Sequence, residues 1–355
     1  MIIQAKAPLR VSFGGGGTDV SPYYKEKGGM VLSSTINKYG YVSIIPRDTM
    51  DITVYSLDYD IVAKYNAQEE LTYDGKLDLV KAVLKNMQIN QGGEFYIHSD
   101  APPGSGLGSS STIVVSMIGA IKHWQRKVMD NYFVAEMAIH IERNDLGIAG
   151  GLQDQYAATF GGFNFIEFYK DGTIVNPLKI DQDIPNELEY NLLICYTGGI
   201  RLSANIIEDQ VSNYQSQNMD VVSAMDEIKE ITIAMKRELL RGNLNDFGSL
   251  LHEGWENKKK LSSRISNPHI DEMYTEALKY GTLGGKLLGA GGGGYLLIHC
   301  PYTQKHIVAE RLEKMGGQVI NWAFEFNGVQ SWCVRNRREK NDRPYQKRNT
   351  RKITA

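Results

Sequence analysis

The segment Ala101-Pro-Pro-Gly-Ser-Gly-Leu-Gly-Ser-Ser-Ser-Thr112 constrains the fold more than any other stretch of this chain. It follows an apolar run suited to a strand, Phe95–His98, and opens a run with helical periodicity. In that run Ile113, Met117, Ile121 and Trp124 recur on one face. Pro102 and Pro103 bar the strand from continuing. Gly104, Gly106 and Gly108 then let the backbone pass close to a ligand, where a β-carbon would obstruct it. Ser109, Ser110, Ser111 and Thr112 fall where the first helical turn leaves N–H groups unpaired. Amides, hydroxyls and the positive end of the helix dipole thus converge on one point, as a polyphosphate requires. No lysine follows the last glycine, and the third glycine comes one residue too early for a dinucleotide fingerprint. The plainer alternative is a serine-capped helix after a flexible loop.

With 355 residues the chain has room for two lobes, each with its own core. A hydrophobic content of 42%, 23% charged residues and a formal net charge of −2 are those of an ordinary globular protein, with nothing to favour nucleic acid as a partner. No apolar run is long enough to span a membrane and the first residues lack a signal-peptide layout. Cys195, Cys300 and Cys333 are odd in number and have no metal-ligand spacing, which predicts reduced core thiols and a cytoplasmic location. His140 on its apolar helix face reads as a packing residue. From Arg335 onward nine basic residues meet only two acidic ones, a tail of +7 on a body of −9. Such a block with one aromatic reads as a solvated terminus.

Along the chain, strands are predicted at 2–5, 30–35, 41–46 and 52–56, and a helix at 77–87 precedes the glycine loop. A helix at 132–143, a bend at Gly147–Gly151 and a strand pair at 161–168 and 173–178 follow. The second half opens with a strand at 190–196 and continues with four helices between 204 and 280. Strands at 285–288 and 295–299 flank a glycine-rich turn, and 319–326 and 331–335 read as closing strands. Runs of strands followed by runs of helices predict an α+β fold. The expected organisation is an N-terminal lobe at 1–185, breaking near Pro185-Asn186, a C-terminal lobe at 186–335 and a tail at 336–355.

Three further constellations carry chemistry. The block Ala7-Pro-Leu-Arg-Val-Ser-Phe-Gly-Gly-Gly-Gly-Thr-Asp19 places Gly15, Gly16, Gly17 and Thr18 before Asp19, whose carboxylate can grip two sugar hydroxyls or simply stabilise its own turn. Arg10 is placed to stabilise a transferring phosphoryl group, unless it is an exposed strand residue. Glu142 and Asp154 bracket the bend at 147–151. One can hold Mg²⁺ while the other faces an acceptor hydroxyl; otherwise they are a helix-end residue and an N-cap. The cluster Gly289-Ala-Gly-Gly-Gly-Gly294 exceeds what a hairpin needs, so Gly291 and Gly292 imply close backbone approach to a ligand or to another loop.

In this order, Ala7–Asp19, Pro102–Ser111 and Lys286–Gly294 resemble the three motifs of the GHMP kinase superfamily, and the resemblance runs from about Ile3 to Arg335. It implies a two-lobed α+β small-molecule kinase using ATP and Mg²⁺. ATP would sit on Pro103, Gly104, Ser105, Gly106, Leu107, Gly108, Ser109, Ser110 and Ser111, with Ser110 and Glu142 as metal ligands. By the same likeness Asp154 is the catalytic base, Arg10 its partner and Asp19 the sugar-binding carboxylate. Galactokinases carry Glu-His where this chain has Gly16-Gly17, a departure that argues against galactose. The runs Gly15–Val20, Tyr196–Arg201 and Gly284–Gly294 are similar to those of heptose-phosphate kinases, which implies a sugar phosphate as acceptor. A remote phosphate needs a cation, and Arg201, Lys258, Lys259 and Arg264 are the candidates, with Arg201 first; each alone is more often a solvated surface charge. The alternatives are a kinase for fucose or a hexose, or a catalytically silent sugar and ATP sensor.

Overall fold

The computed structural model describes residues 1–199 and 203–334. Arg201 and the basic tail, both singled out in the sequence, lie outside the described residues.

The first sheet begins with β1 (Ile2–Gly14), β2 (Gly29–Pro46), β3 (Asp51–Ser56), β4 (Ile61–Asn66), β5 (Gly93–Ser99), β6 (Asn164–Tyr169) and β7 (Gly172–Pro177). A second sheet is formed by β8 (Leu192–Tyr196), β9 (Gly284–Leu287), β10 (Tyr295–His299) and β11 (Gln318–Val319), in the order β11-β8-β10-β9. The chain then returns to the first sheet through β12 (Phe324–Glu325) and β13 (Gln330–Val334), giving it the path β13-β1-β2-β5-β3-β4. The long strand β2 pairs with β5 through its second half and with β6 and β12 through its first. A register shift between Pro8 and Leu9 and another between Ser12 and Gly14 bend β1, so its second half turns toward the other lobe.

Helices α1 (Tyr23–Lys27), α2 (Asp78–Asn86), α3 (Ser109–Trp124), α4 (Asn131–Ile139) and α5 (Gln153–Phe160) belong to the first lobe. The second carries α6 (Asp183–Asn191), α7 (Ser203–Gln215), α8 (Met219–Arg241), α9 (Leu244–Lys259), α10 (Pro268–Leu278) and α11 (Tyr302–Lys314). None of the described helices is long and apolar enough to cross a membrane.

The expected α+β class is the one observed, and the glycine loop does lie between a strand and a helix. The apolar stripe on α3 differs from the expectation. Met117 and Ile121 are buried, but Ile113 and Trp124 are only half-buried, while Val114, Val115 and Ile118 are fully enclosed. The helix is packed between the sheet on one side and α4 and α5 on the other, so burial extends around it. The run expected as one helix over 132–143 is α-helical only to Ile139 and continues as a π-helical turn over His140–Asp145. Pro185 lies inside α6 rather than in a linker. It stands in the first turn, where its missing N–H costs no helical bond.

The two lobes share a core. Leu9, Val11, Phe13 and Leu32 of the first sheet pack with Ile194 and Leu297 of the second and with Met235 and Phe247 of α8 and α9. This apolar contact holds the glycine-rich bends of both lobes against one another.

Candidate active site

The glycine loop at 103–111 is held by another loop's backbone. Gly104, Gly106 and Gly108 have φ of 74°, 90° and 81°, a region that glycine enters without strain. A β-carbon on Gly106 would lie 2.4 Å from the Leu288 carbonyl oxygen, and one on Gly294 would lie 2.1 Å from that of Ser105. The Tyr295 N–H donates to the Ser105 carbonyl at 3.1 Å, completing the seam. So the third glycine cluster serves mainly a loop-on-loop contact. Gly291 and Gly292 pack on Ile265, the loop contact that the sequence allowed beside a ligand contact, and the cavity is bordered by Gly289 and Ala290.

Gly108 is the N-cap of α3 and no side chain caps that helix, so its first-turn amides remain available to an anion. The three serines diverge. Ser109 Oγ donates back to Ala101 and Pro102 carbonyls, Ser110 is exposed toward the cavity, and Ser111 is buried on Glu142. Ser111 Oγ lies 2.9 and 2.8 Å from the two Glu142 oxygens, and Gln155 Nε2 donates to the same carboxylate. Burial raises the Glu142 pKa, while the neighbouring Arg143 guanidinium opposes the rise. Glu142 therefore has a fixed carboxylate beside the loop. Its oxygens and the Ser110 hydroxyl are hard donors, and Mg²⁺ needs only one or two such protein oxygens when phosphates and water complete its shell.

Arg10 and Asp154 meet beneath that loop. Both Nε and Nη2 of Arg10 reach Asp154 Oδ1, at 2.8 and 2.7 Å, and Nη1 donates to the Gly106 carbonyl. Arg10 is buried at 4% exposure, so it is not an exposed strand residue. Asp154 sits in the first turn of α5, 23% exposed, and a β-carbon on Gly108 would stand 3.2 Å from its carboxyl group. A carboxylate is thereby set against the last glycine of that loop.

Asp19 is fully buried. Its Oδ1 accepts from the Gly17 N–H at 3.0 Å, and its Oδ2 accepts from the N–H groups of Leu152 and Gln153 and from Gln153 Nε2, at 3.0 to 3.2 Å. It thus stabilises its own bend, and from a distant segment it also satisfies the start of the helix that carries Asp154. Gly151 is required there, since a β-carbon would lie 2.0 Å from Asp19 Oδ2. Thr18 is buried, donating to Gly15 within the bend and accepting from Met30 of β2. Gly15 abuts the Met30 carbonyl, leaving Gly17 and Asp19 on the cavity wall.

Two further features complete the surroundings of the cavity. One is a pair of buried lysines from the second lobe: Lys258 donates to the Gly16 carbonyl at 2.8 Å and Lys286 to that of Phe13 at 3.2 Å. Burial pushes Lys258 down to about 8 and Lys286 to about 7, with Arg10 adding to the shift at both. Lys258 is one of the four cations that the sequence offers for a remote phosphate, and its burial sets it apart; Lys286 opens the third glycine motif from a short buried strand. Lys259 instead pairs with Glu256 at 2.8 Å, and Arg264 lies 3.9 Å from Asp209 on the surface. The other feature is a second cavity of about 420 Å³ beside the first, which is about 180 Å³. Its apolar wall includes Ile61, Leu79, Ile97, Ile113 and Leu146, and the two cavities share Ser109, Ser110 and Ile148. Its residues come from five separate segments, which sequence spacing does not bring together.

Residues 78–162 match the family description "GHMP kinases N terminal domain" and residues 235–318 match "GHMP kinases C terminal". The chain is 38% identical to the D-glycero-alpha-D-manno-heptose 7-phosphate kinase of Campylobacter jejuni, covering 94% of this chain and 99% of that protein. A crystal structure described as a D-glycero-D-manno-heptose 1-phosphate kinase from Bacteroides thetaiotaomicron superposes with a TM-score of 0.79. It is 34% identical and covers 94% of this chain and 100% of that one. The galactokinase of Lactococcus lactis shares the fold with a TM-score of 0.74 at 18% identity, covering 93% of this chain and 95% of that one. With both domain descriptions matched and near-complete coverage of a 38% identical relative, this chain belongs to the GHMP kinase family.

Proposed function

We propose that this protein transfers the γ-phosphoryl group of ATP to the anomeric hydroxyl of D-glycero-D-manno-heptose 7-phosphate, yielding the 1,7-bisphosphate. The observation that carries the reading is the Arg10–Asp154 pair set against Gly108. A base and a cation stand where an acceptor hydroxyl and a terminal phosphate would meet. The heptose assignment is supported by the 38% identity to the C. jejuni kinase.

In this mechanism the open first-turn amides of α3 and the loop at 103–111 bind the β- and γ-phosphates. The apolar second cavity, which shares Ser109, Ser110 and Ile148 with the first, suits the nucleotide base. Glu142 and Ser110 would hold Mg²⁺, which when bound neutralises charge across the phosphates; Ser111 and Gln155 keep the Glu142 carboxylate in place. Asp154 accepts the proton of the attacking hydroxyl. An anomeric hydroxyl is more acidic than an ordinary alcohol, so a carboxylate is basic enough when well placed. Arg10 orients that carboxylate through one oxygen and stabilises the transferring group, and positioning supplies much of the remaining acceleration. On this reading residues 1–185 form the ATP-binding lobe and 186–335 the lobe that closes the acceptor site, with 324–334 returning to the first sheet. A silent sensor has no use for a base held by a buried arginine, which disfavours that alternative.

The test is ATP turnover against a panel of sugars and sugar phosphates, with phosphorus NMR of the product. A new anomeric phosphate on heptose 7-phosphate is the expected result. Turnover of fucose, of a hexose or of the 1-phosphate in its place would replace this assignment.

A further inference from the structure

Lys258 enters the first cavity from α9 and is only 5% exposed. Its ammonium carries three donors, and among the described residues one is used, on the Gly16 carbonyl at 2.8 Å. No carboxylate of the described residues pairs with it. Asp19, the negative group that acts on it most, already accepts four hydrogen bonds from Gly17, Leu152 and Gln153. A buried ammonium without a counter-ion is costly, and here a second buried ammonium, that of Lys286, adds to the positive potential.

The surroundings of Lys258 are the glycine bend that leads to Asp19. A β-carbon on Gly16 would stand 3.6 Å from Gln153 Nε2 and 3.8 Å from Lys258 Nζ. One on Gly17 would stand 3.3 Å from Lys258 Nζ and 3.4 Å from Gln210 Oε1. Groups from α5, α7 and α9 thus converge on the two glycines, in the cavity that the loop at 104–111 also lines. Gln153 Oε1 is buried there without a partner, so the pocket offers both an unspent cation and an unspent acceptor.

We infer that Lys258 reads the charge of the acceptor, its ammonium binding an oxygen of the sugar's phosphate monoester while Gln153 Oε1 accepts from a neighbouring hydroxyl. This rests on the acceptor being a sugar phosphate, as proposed above. It places charge recognition on α9, at a position that the exposed Arg264 and the Glu256-paired Lys259 do not reach.

The experiment compares wild type, Lys258→Met and Lys258→Arg on heptose 7-phosphate and on the unphosphorylated heptose, with KM for ATP and melting temperature measured alongside. Lys258→Met should raise KM for the phosphorylated sugar about tenfold or more, the scale of a lost charge-assisted hydrogen bond. It should leave KM for the unphosphorylated sugar and for ATP within about twofold. Lys258→Arg should recover part of the loss. The melting temperature of Lys258→Met should not fall, because a buried unpaired charge has been removed. An unchanged KM for the phosphorylated sugar, an equal loss on both sugars, or a fall in kcat alone would each overturn the inference. Wild-type turnover of a different sugar phosphate would overturn the heptose assignment only. The same comparison on that sugar and its unphosphorylated form then decides the role of Lys258.

Discussion

Arg10 and Asp154, 144 residues apart in the chain, share a single carboxylate oxygen through two guanidinium nitrogens at 2.8 and 2.7 Å. The contact leaves Asp154 Oδ2 outside the pair, and that oxygen lies 3.2 Å from where a β-carbon on Gly108 would be. On the proposed mechanism one oxygen orients the carboxylate and the other is left for a proton.

Gly108→Ala should therefore damage catalysis more than nucleotide binding. The added methyl meets the Asp154 carboxyl group, and φ of 81° disfavours any side chain. A fall in kcat of about tenfold or more is expected, on the scale of a small misplacement of reacting groups. Steady-state kinetics with ATP and acceptor varied separately checks this.

Asp19→Asn separates two roles for that carboxylate. Oδ2 accepts three hydrogen bonds at the start of α5, and an amide nitrogen in its place would face donors. A stability loss of about 1–3 kcal/mol is expected in urea unfolding, together with a lower kcat because α5 carries Asp154. A variant of wild-type stability with only a raised acceptor KM would assign Asp19 to the sugar alone.

Ser110 and Ser111 should respond differently to alanine. On the proposed metal assignment Ser110→Ala removes a protein donor, so the Mg²⁺ concentration for half-maximal activity should rise about tenfold or more. Ser111→Ala leaves the buried Glu142 carboxylate short of a donor and should lower stability by about 1–3 kcal/mol. Mg²⁺ titration and thermal melting of both variants distinguish them.

Lys286 gives a pH dependence of stability. Its pKa falls from 10.5 to about 7, chiefly through burial and also through repulsion by Lys258 and Arg10, with Asp19 opposing. Between those values the unfolded chain holds the proton more often than the native protein, so this group's contribution rises with pH across that window. Lys286→Met removes the dependence. The variant should gain on the wild type at pH 6.5 relative to pH 9.5, as read by urea denaturation at both. A difference independent of pH would show that the buried ammonium stays charged throughout.

The parts of the site that lie within one segment were legible in the sequence. The strand, prolines, alternating glycines and serines of 95–112 specify local backbone geometry, and the loop and helix follow from it. Arg10, Glu142 and Asp154 were singled out because each adjoins a glycine-rich bend. What the sequence did not carry was the pairing between segments. The division of labour between Ser110 and Ser111 depends on which one faces the π-helical turn bearing Glu142. The use of Asp19 at the start of α5 depends on Gly151 allowing contact, and the burial of Lys258 depends on where α9 docks. The close packing of Gly106 on Leu288 likewise arises from two lobes meeting, while Gly291 and Gly292 make the loop contact that the sequence also allowed, on Ile265.

The central claim is that Asp154, held by Arg10, accepts the proton of the acceptor hydroxyl as the phosphoryl group moves. Single-turnover phosphorylation of heptose 7-phosphate by Asp154→Asn, with ATP binding measured on the same protein, tests it most directly. The account predicts a rate about 10²-fold or more below wild type with ATP affinity little changed, as expected for loss of a general base. A variant that binds ATP normally and retains more than about a tenth of the wild-type rate would contradict it.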